Sequence, residues 1–187
     1  MSERKQQILQ TAIEIIANEG YSSLSMRALA KASGMKLGAL QYHFRTWEEL
    51  MRALVGYIAA EYQRAFESML HEVSSPGVRE LAVFILDDAA GDLLSGDRLW
   101  PQLWAMEQVE PLVSELVEDV YETYVTTLEK ALEAEGSEAP HAEALCLMSL
   151  LEGELLFTGS GRRWANDRDA VRNTILKFID ERFGEKS

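Results

Sequence analysis

Between residues 4 and 46 the sequence is interrupted at short intervals by residues that start or stop helices: Gly20, Ser25, Gly34 and Thr46. That punctuation leaves room for one helix of about four turns and two of about two turns each. From Arg4 to Asn18 the apolar positions Ile8, Ala12, Ile15 and Ile16 repeat at helical spacing, and Gly20 supplies the stop. Ser25 is placed to cap SMRALAKAS, whose expected core face is Leu29 and Ala32 and whose end is Gly34. Leu37 to Phe44 form the third segment, with Leu40 and Phe44 at i, i+4 as its inward face. Thr46 then opens a long helix with Glu48 and Glu49 in its first turn, predicted to run to about residue 73, roughly 40 Å.

Beyond it, SSPG at 74–77 breaks the chain, and helical patterns follow near 78–95, 98–107, 110–135, 139–158 and 168–183. Their separators, SGD, the Val109–Pro111 corner, EGSEAP and GSGRRW, have turn or breaker character. No strand-like alternation or internal repeat occurs, so the expected fold is all-α. We expect two domains: residues 1–50, carrying the three short segments, and a larger helical domain over 51–187.

The chain has 187 residues, 47% hydrophobic and 26% charged, a profile that folds. Its single cysteine, Cys146, lies in the apolar string LCLM and reads as a small buried hydrophobe in a reducing compartment. The opening MSERKQQ runs straight into an amphipathic segment, which predicts no secretion signal. The longest purely apolar run, Leu81 to Leu86, is far short of the roughly 20 residues that span a bilayer. A cytoplasmic protein without a membrane segment is expected.

Net charge is −13, which at first argues against nucleic acid. The acid is segregated, however: residues 1–50 hold six basic and five acidic residues, and residues 51–187 hold 12 basic and 26 acidic. The first region is therefore close to neutral.

A two-turn helix, a glycine turn and a second short helix make a helix-turn-helix. Such a unit presents one face of its second helix to base edges and phosphates while the other face is anchored in a small core. Leu40 and Phe44 are the anchors, and the other positions are candidate readers. Gln41 suits paired hydrogen bonds to adenine, and Leu37 or Ala39 suits a thymine methyl. Lys36, Tyr42 and His43 can donate to phosphates. Arg27 has the reach and fork geometry for a guanine or a phosphate. Gly38 lowers helix propensity by about 1 kcal/mol against alanine, which fits close approach to DNA or to a neighbouring helix.

The segment from about Lys5 to Leu54 resembles the DNA-binding domain of the TetR family of bacterial transcriptional regulators. The resemblance rests on Tyr21 after Gly20, the Ser-x-x-x-Leu-Ala opening at Ser25, the Gly34 turn, Gly38-x-Leu40, and Tyr42-His43-Phe44 before an acidic EEL. Lys36, Leu37, Ala39 and Trp47 depart from the commoner family residues at their positions. The resemblance implies that the remainder dimerises, binds a small molecule, and lowers DNA affinity when that molecule is bound. It implies a homodimer on a palindromic operator, with recognition helices about 34–36 Å apart and the long fourth helix as a lever.

For effector binding the residues offer Asp88, Trp100, Trp104, Tyr121, Tyr124, Met148 and Glu152, a mixture of aromatic, thioether and acidic side chains. Asp88 and Asp92 share a face with Leu81 and Ile85, and Glu152 shares one with Leu145, Ser149 and Leu156. Each such acid either senses a ligand or is simply paired or solvated. For dimerisation, Leu147, Leu151, Leu155, Val171, Ile175 and Phe178 offer the apolar surface of a four-helix bundle. The same residues can instead close the core of a single chain.

His43, His71 and His141 are scattered without ligand spacing, and Cys146 has no sequence-local base. GSGRR lacks the Gly-Lys-Ser/Thr ending of a phosphate loop. No enzyme, metal or cofactor is therefore expected. The competing reading is a helical dimeric interaction or ligand-binding protein that has lost DNA binding.

Overall fold

The computed structural model describes residues 1–73, 75–87 and 96–183. Among these the chain is helical and contains no strand. In order, α1 is Glu3–Glu19, α2 Met26–Ala32, α3 Leu37–His43, α4 Trp47–Glu72 and α5 Val78–Leu86. Then come α6 Gly96–Met106, α7 Pro111–Ala134, α8 Pro140–Thr158 and α9 Arg168–Phe183, with 3-10 turns at Tyr21–Ser23 and Ala165–Asp167. Two compact units are formed, Met1–Arg64 with Ala90–Glu118, and Ala65–Ala89 with Asp119–Ser187.

The first unit is built on α1, which buries Ile8, Leu9, Ala12, Ile13, Ile15 and Ile16. Gly20 ends that helix at φ +85°, its N–H donating to the Ile16 carbonyl at 3.0 Å. Ser25 caps α2, its hydroxyl accepting from the Ala28 N–H at 3.1 Å. The α2–α3 turn depends on Gly34 at φ +67°, a left-handed conformation that a side chain disfavours. Its N–H reaches the Lys31 carbonyl at 3.1 Å, and the Met35 N–H reaches Ala30 at 2.9 Å, so the last carbonyls of α2 are satisfied. Thr46 accepts from the Glu49 N–H at 3.1 Å while the Glu49 carboxylate accepts from the Arg45 N–H at 3.0 Å, which together start α4.

The core of α2 is Leu29 and Ala30 rather than Leu29 and Ala32, since Ala32 is exposed. The helix packs against both α1 and α3. Two partners widen its buried sector toward Ala30, and Ala32 lies on the other side of Leu29 at 100° per residue.

Several contacts in this unit join residues far apart in sequence. The Tyr21 hydroxyl is hydrogen-bonded to the Glu110 carboxylate, and its ring lies 6.5 Å from that of Trp47. Burial first, and then the bond to Glu110 and its negative charge, push the Tyr21 phenol well above its ordinary pKa, so it stays a donor. Arg4 donates to the Ser33 carbonyl at 3.2 Å, tying the start of α1 to the end of α2.

In the second unit, α5, α8 and α9 pack on one another. Leu81, Phe84, Leu128, Leu132, Leu147 and Ile179 are among its buried residues. Phe66, Phe84 and Tyr124 form an aromatic triangle with centroids 5.5–5.9 Å apart. Ion pairs bind α9 to its neighbours: Arg79 with Asp180 at 2.5 Å, Arg182 with Glu143 at 2.6 Å, and Arg172 with Asp87. Cys146 is exposed, contrary to the buried position expected from its apolar neighbours. The inward side of α8 is Ala144, Leu147, Met148, Leu151 and Glu154, and Cys146 shares the outward side with Leu145. The run LCLM thus distributes itself round the helix.

Phe44 is almost fully buried at the end of a helix too short to persist alone. Phe44→Ala should lower unfolding free energy by about 3–5 kcal/mol, measured by urea denaturation, with loss of the α3 signals in NMR.

Candidate nucleic-acid interface

Within seven residues, α3 separates two roles cleanly. Leu40 is fully buried, and Phe44, which caps the helix, is buried with it. Gly38, Ala39, Gln41 and Tyr42 face outward together with Lys36, while Leu37 and His43 are half-buried. Arg27, in the first turn of α2, is exposed as well. All eight residues singled out from the sequence therefore fall on one short helix, its N-cap and the preceding helix.

Tyr42 is the most exposed large side chain here, at 85% of its full accessibility, and its ring meets that of His43 edge-on at 5.5 Å. An aromatic this exposed gains little from the fold, and its phenol is free to address an external partner. A methyl group at Gly38 would meet nothing within 4 Å. Packing inside the chain therefore does not require that glycine.

The electrostatics favour an anion. Among the described residues, Arg27, Lys31, Lys36 and Arg45 are exposed and make no ion pair. Arg52, by contrast, is held by Glu48 at 2.9 Å. Lys5 sits over the Phe44 ring with its ammonium 5.0 Å from the centroid. Arg4 donates to the Ser33 carbonyl at 3.2 Å and to the Gln7 side chain at 3.1 Å.

The described effector candidates are divided between the two units. Trp100 and Trp104 meet edge-on at 6.5 Å, and Trp100 lies 5.2 Å from Tyr62, all in the first unit. Tyr124 and Met148 are buried in the second, where Tyr121 and Glu152 are half-buried. Asp88 and Asp92 lie outside the described residues. The face that Glu152 shares with Leu145, Ser149 and Leu156 points outward, those three residues being exposed.

The buried carboxylate of α8 is instead Glu154, which the sequence reading missed. It accepts from the Thr158 hydroxyl at 2.5 Å and from the Arg168 Nε at 3.0 Å. The signal for the first contact was present as an i, i+4 pair on the Leu147–Leu151 face. The second spans a loop and carries no local signature.

Of the dimer candidates, Leu147, Leu151 and Ile175 are buried inside their own chain, Leu155 and Val171 are half-buried, and Phe178 is exposed. Between α8 and α9 runs an apolar groove of about 640 Å³ lined by Leu150, Gly153, Phe157, Val171, Thr174 and Ile175. Leu150, Leu156 and Phe157 add exposed apolar surface on α8.

Residues 8–54 match the family model for bacterial regulatory proteins of the tetR family. The chain is 26% identical over 188 residues to the nicotine-responsive transcriptional repressor HdnoR of Paenarthrobacter nicotinovorans, with 95% of each chain covered. It is 31% identical over 93 residues to the regulator AcrR of Shigella flexneri, a match spanning 46% of this chain and only 41% of that one. In fold it is similar to a transcriptional regulator from Saccharomonospora viridis solved with choline, with a TM-score of 0.80, 22% identity and 100% of each chain covered. It is similar also to AibR, solved with isovaleryl coenzyme A and operator DNA, with a TM-score of 0.68, 18% identity and 98% and 100% covered.

Proposed function

We propose that this chain, which belongs to the TetR family of bacterial transcriptional regulators, is a cytoplasmic repressor that binds a palindromic operator as a homodimer and leaves it when a small molecule binds. The observation that carries this reading is the division of α3 into a buried side, Leu40 with Phe44, and an exposed polar side. An exposed glutamine, tyrosine and lysine on an anchored helix fit the major groove. In this reading Gln41 takes an adenine edge, Arg27 a guanine or phosphate, and Lys36, Tyr42 and His43 hold the backbone. Leu37 and Ala39 meet thymine methyls, and Gly38 allows the close approach.

The apolar α8–α9 groove supports the homodimer. Phe157 and Phe178, 60% and 51% exposed, would be covered by the same surfaces of a second copy. For the effector we favour a small organic cation. One relative is nicotine-responsive and one structure of similar fold was solved with choline, both compounds being organic cations at neutral pH, and Tyr62, Trp100 and Trp104 bring aromatic faces together on this chain.

Three measurements test these assignments. Fluorescence anisotropy on DNA selected from a random pool should show sequence-selective binding with a steep negative log–log salt slope. Gln41→Ala should weaken it by about 1–3 kcal/mol and relax one base position, whereas Lys36→Ala should weaken all sequences alike and lower the slope by about one. Feeble, unselective binding at every salt concentration would favour the interaction protein that has lost DNA binding. Sedimentation should give a dimer, and Phe157→Glu with Phe178→Glu should shift it to monomer without loss of helicity; an unaltered dimer would place the interface elsewhere. Choline or nicotine should alter tryptophan fluorescence and release the DNA, with Trp104→Ala abolishing both effects, and a lack of response to either cation would remove the cationic class.

A further inference from the structure

Residues 96–118 belong to the same compact unit as the helix-turn-helix, although they lie some distance away in sequence. Three polar side chains from this stretch converge on the end of α1 and the turn after it. Arg98 donates to the Asn18 side-chain oxygen at 2.7 Å. Gln102, one turn further along the same face of α6, accepts from the Tyr21 N–H at 3.3 Å. Glu110 accepts from the Tyr21 hydroxyl, and its backbone carbonyl starts α7 by accepting from the Val113 and Ser114 N–H groups at 2.9 and 3.2 Å. Beneath them α6 packs on α1 and buries Leu99, Leu103 and Met106.

Residues 20–25 link α1 to α2, and Gly20 at the start of that link sits at φ +85°. A segment of that kind does not set the direction of the following helix unaided, since glycine leaves its backbone free to turn. Here the direction is held from both sides: Tyr21 is bonded to Glu110 and Gln102, and its ring rests near Trp47 at the start of α4. None of these hooks touches the exposed side of α3.

We propose that Glu110, with Gln102 and Arg98, acts as a set of positioning residues for the recognition helix, holding Tyr21 and the α1–α2 turn so that α2 and α3 present one fixed geometry to DNA. The assignment rests on the DNA-binding reading of α3 and adds to it residues that make no DNA contact. The DNA-reading module then consists of α1–α3 together with a bracket from α6 and the start of α7.

The test compares Glu110→Ala, Glu110→Gln and Tyr21→Phe by hydrogen exchange of the free protein and by binding to the selected DNA. Glu110→Ala should speed exchange throughout residues 18–43 and weaken DNA binding about tenfold. The salt slope should stay as in the unmodified protein, because no phosphate contact is removed. Glu110→Gln keeps an acceptor for the phenol and should restore both properties. Tyr21→Phe removes a single hydroxyl, retains the ring, and serves if Glu110→Ala does not fold.

Faster exchange confined to residues 19–23 would overturn the proposal, as would unaltered affinity in a folded variant whose exchange rises evenly over both units. If the unmodified protein selects no DNA, the regulator reading fails by itself. The exchange comparison then still decides whether Glu110 controls the order of α2 and α3.

Discussion

A helix of seven residues has almost no stability of its own in water, because nucleation fixes several dihedral angles for each early hydrogen bond. Everything presented by α3 therefore depends on the burial of Leu40 and Phe44, which substitutes tertiary contact for helix length. Because those two side chains point inward, Gln41 and Tyr42 have to point outward. The exposure of Tyr42 follows from the anchoring of its neighbours, and the Gly34 turn sets where that anchored helix begins.

Features governed by local chemistry were readable in the sequence. Ser25, Gly34 and Thr46 act on the backbone within four residues of themselves, and the helices they delimit lie where that punctuation put them. Burial was less readable, since it depends on how many neighbours a helix acquires: α2 has two partners, so Ala30 replaces Ala32 in its core, and α8 turns Cys146 to solvent. Polar contacts across long separations left no sequence trace. Nothing near Glu154 announces Arg168, and nothing near Tyr21 announces Glu110, because a hydrogen bond between distant segments imposes no periodicity on either. The eight residues proposed to face DNA were accessible to sequence reasoning because they share one short helix and its approach, whereas an effector site assembled from several helices has no equivalent local pattern.

Charge is organised at two scales. Over the whole chain the excess acid lies after residue 50, and at residue scale much of the basic charge there is neutralised in place, as Arg79, Arg172 and Arg182 bind α9 to α5 and α8. Among the described residues, Arg27, Lys31, Lys36 and Arg45, around α2 and α3, are exposed without an ion pair. A chain of strongly negative net charge can thus carry a locally cationic surface, because the potential felt by a phosphate at short range is set by charges within about one Debye length, roughly 8–10 Å at physiological salt.

The first compact unit is discontinuous: it takes its residues from 1–64 and again from 90–118. During synthesis α1, α2 and α3 leave the ribosome well before the strand of chain that carries Gln102 and Glu110. At typical elongation rates of about 5–20 residues per second, the N-terminal helices wait several seconds for their bracket. For that interval the nascent chain exposes the face of α1 that α6 will later cover, so the earliest helices to be made are among the later ones to be finished.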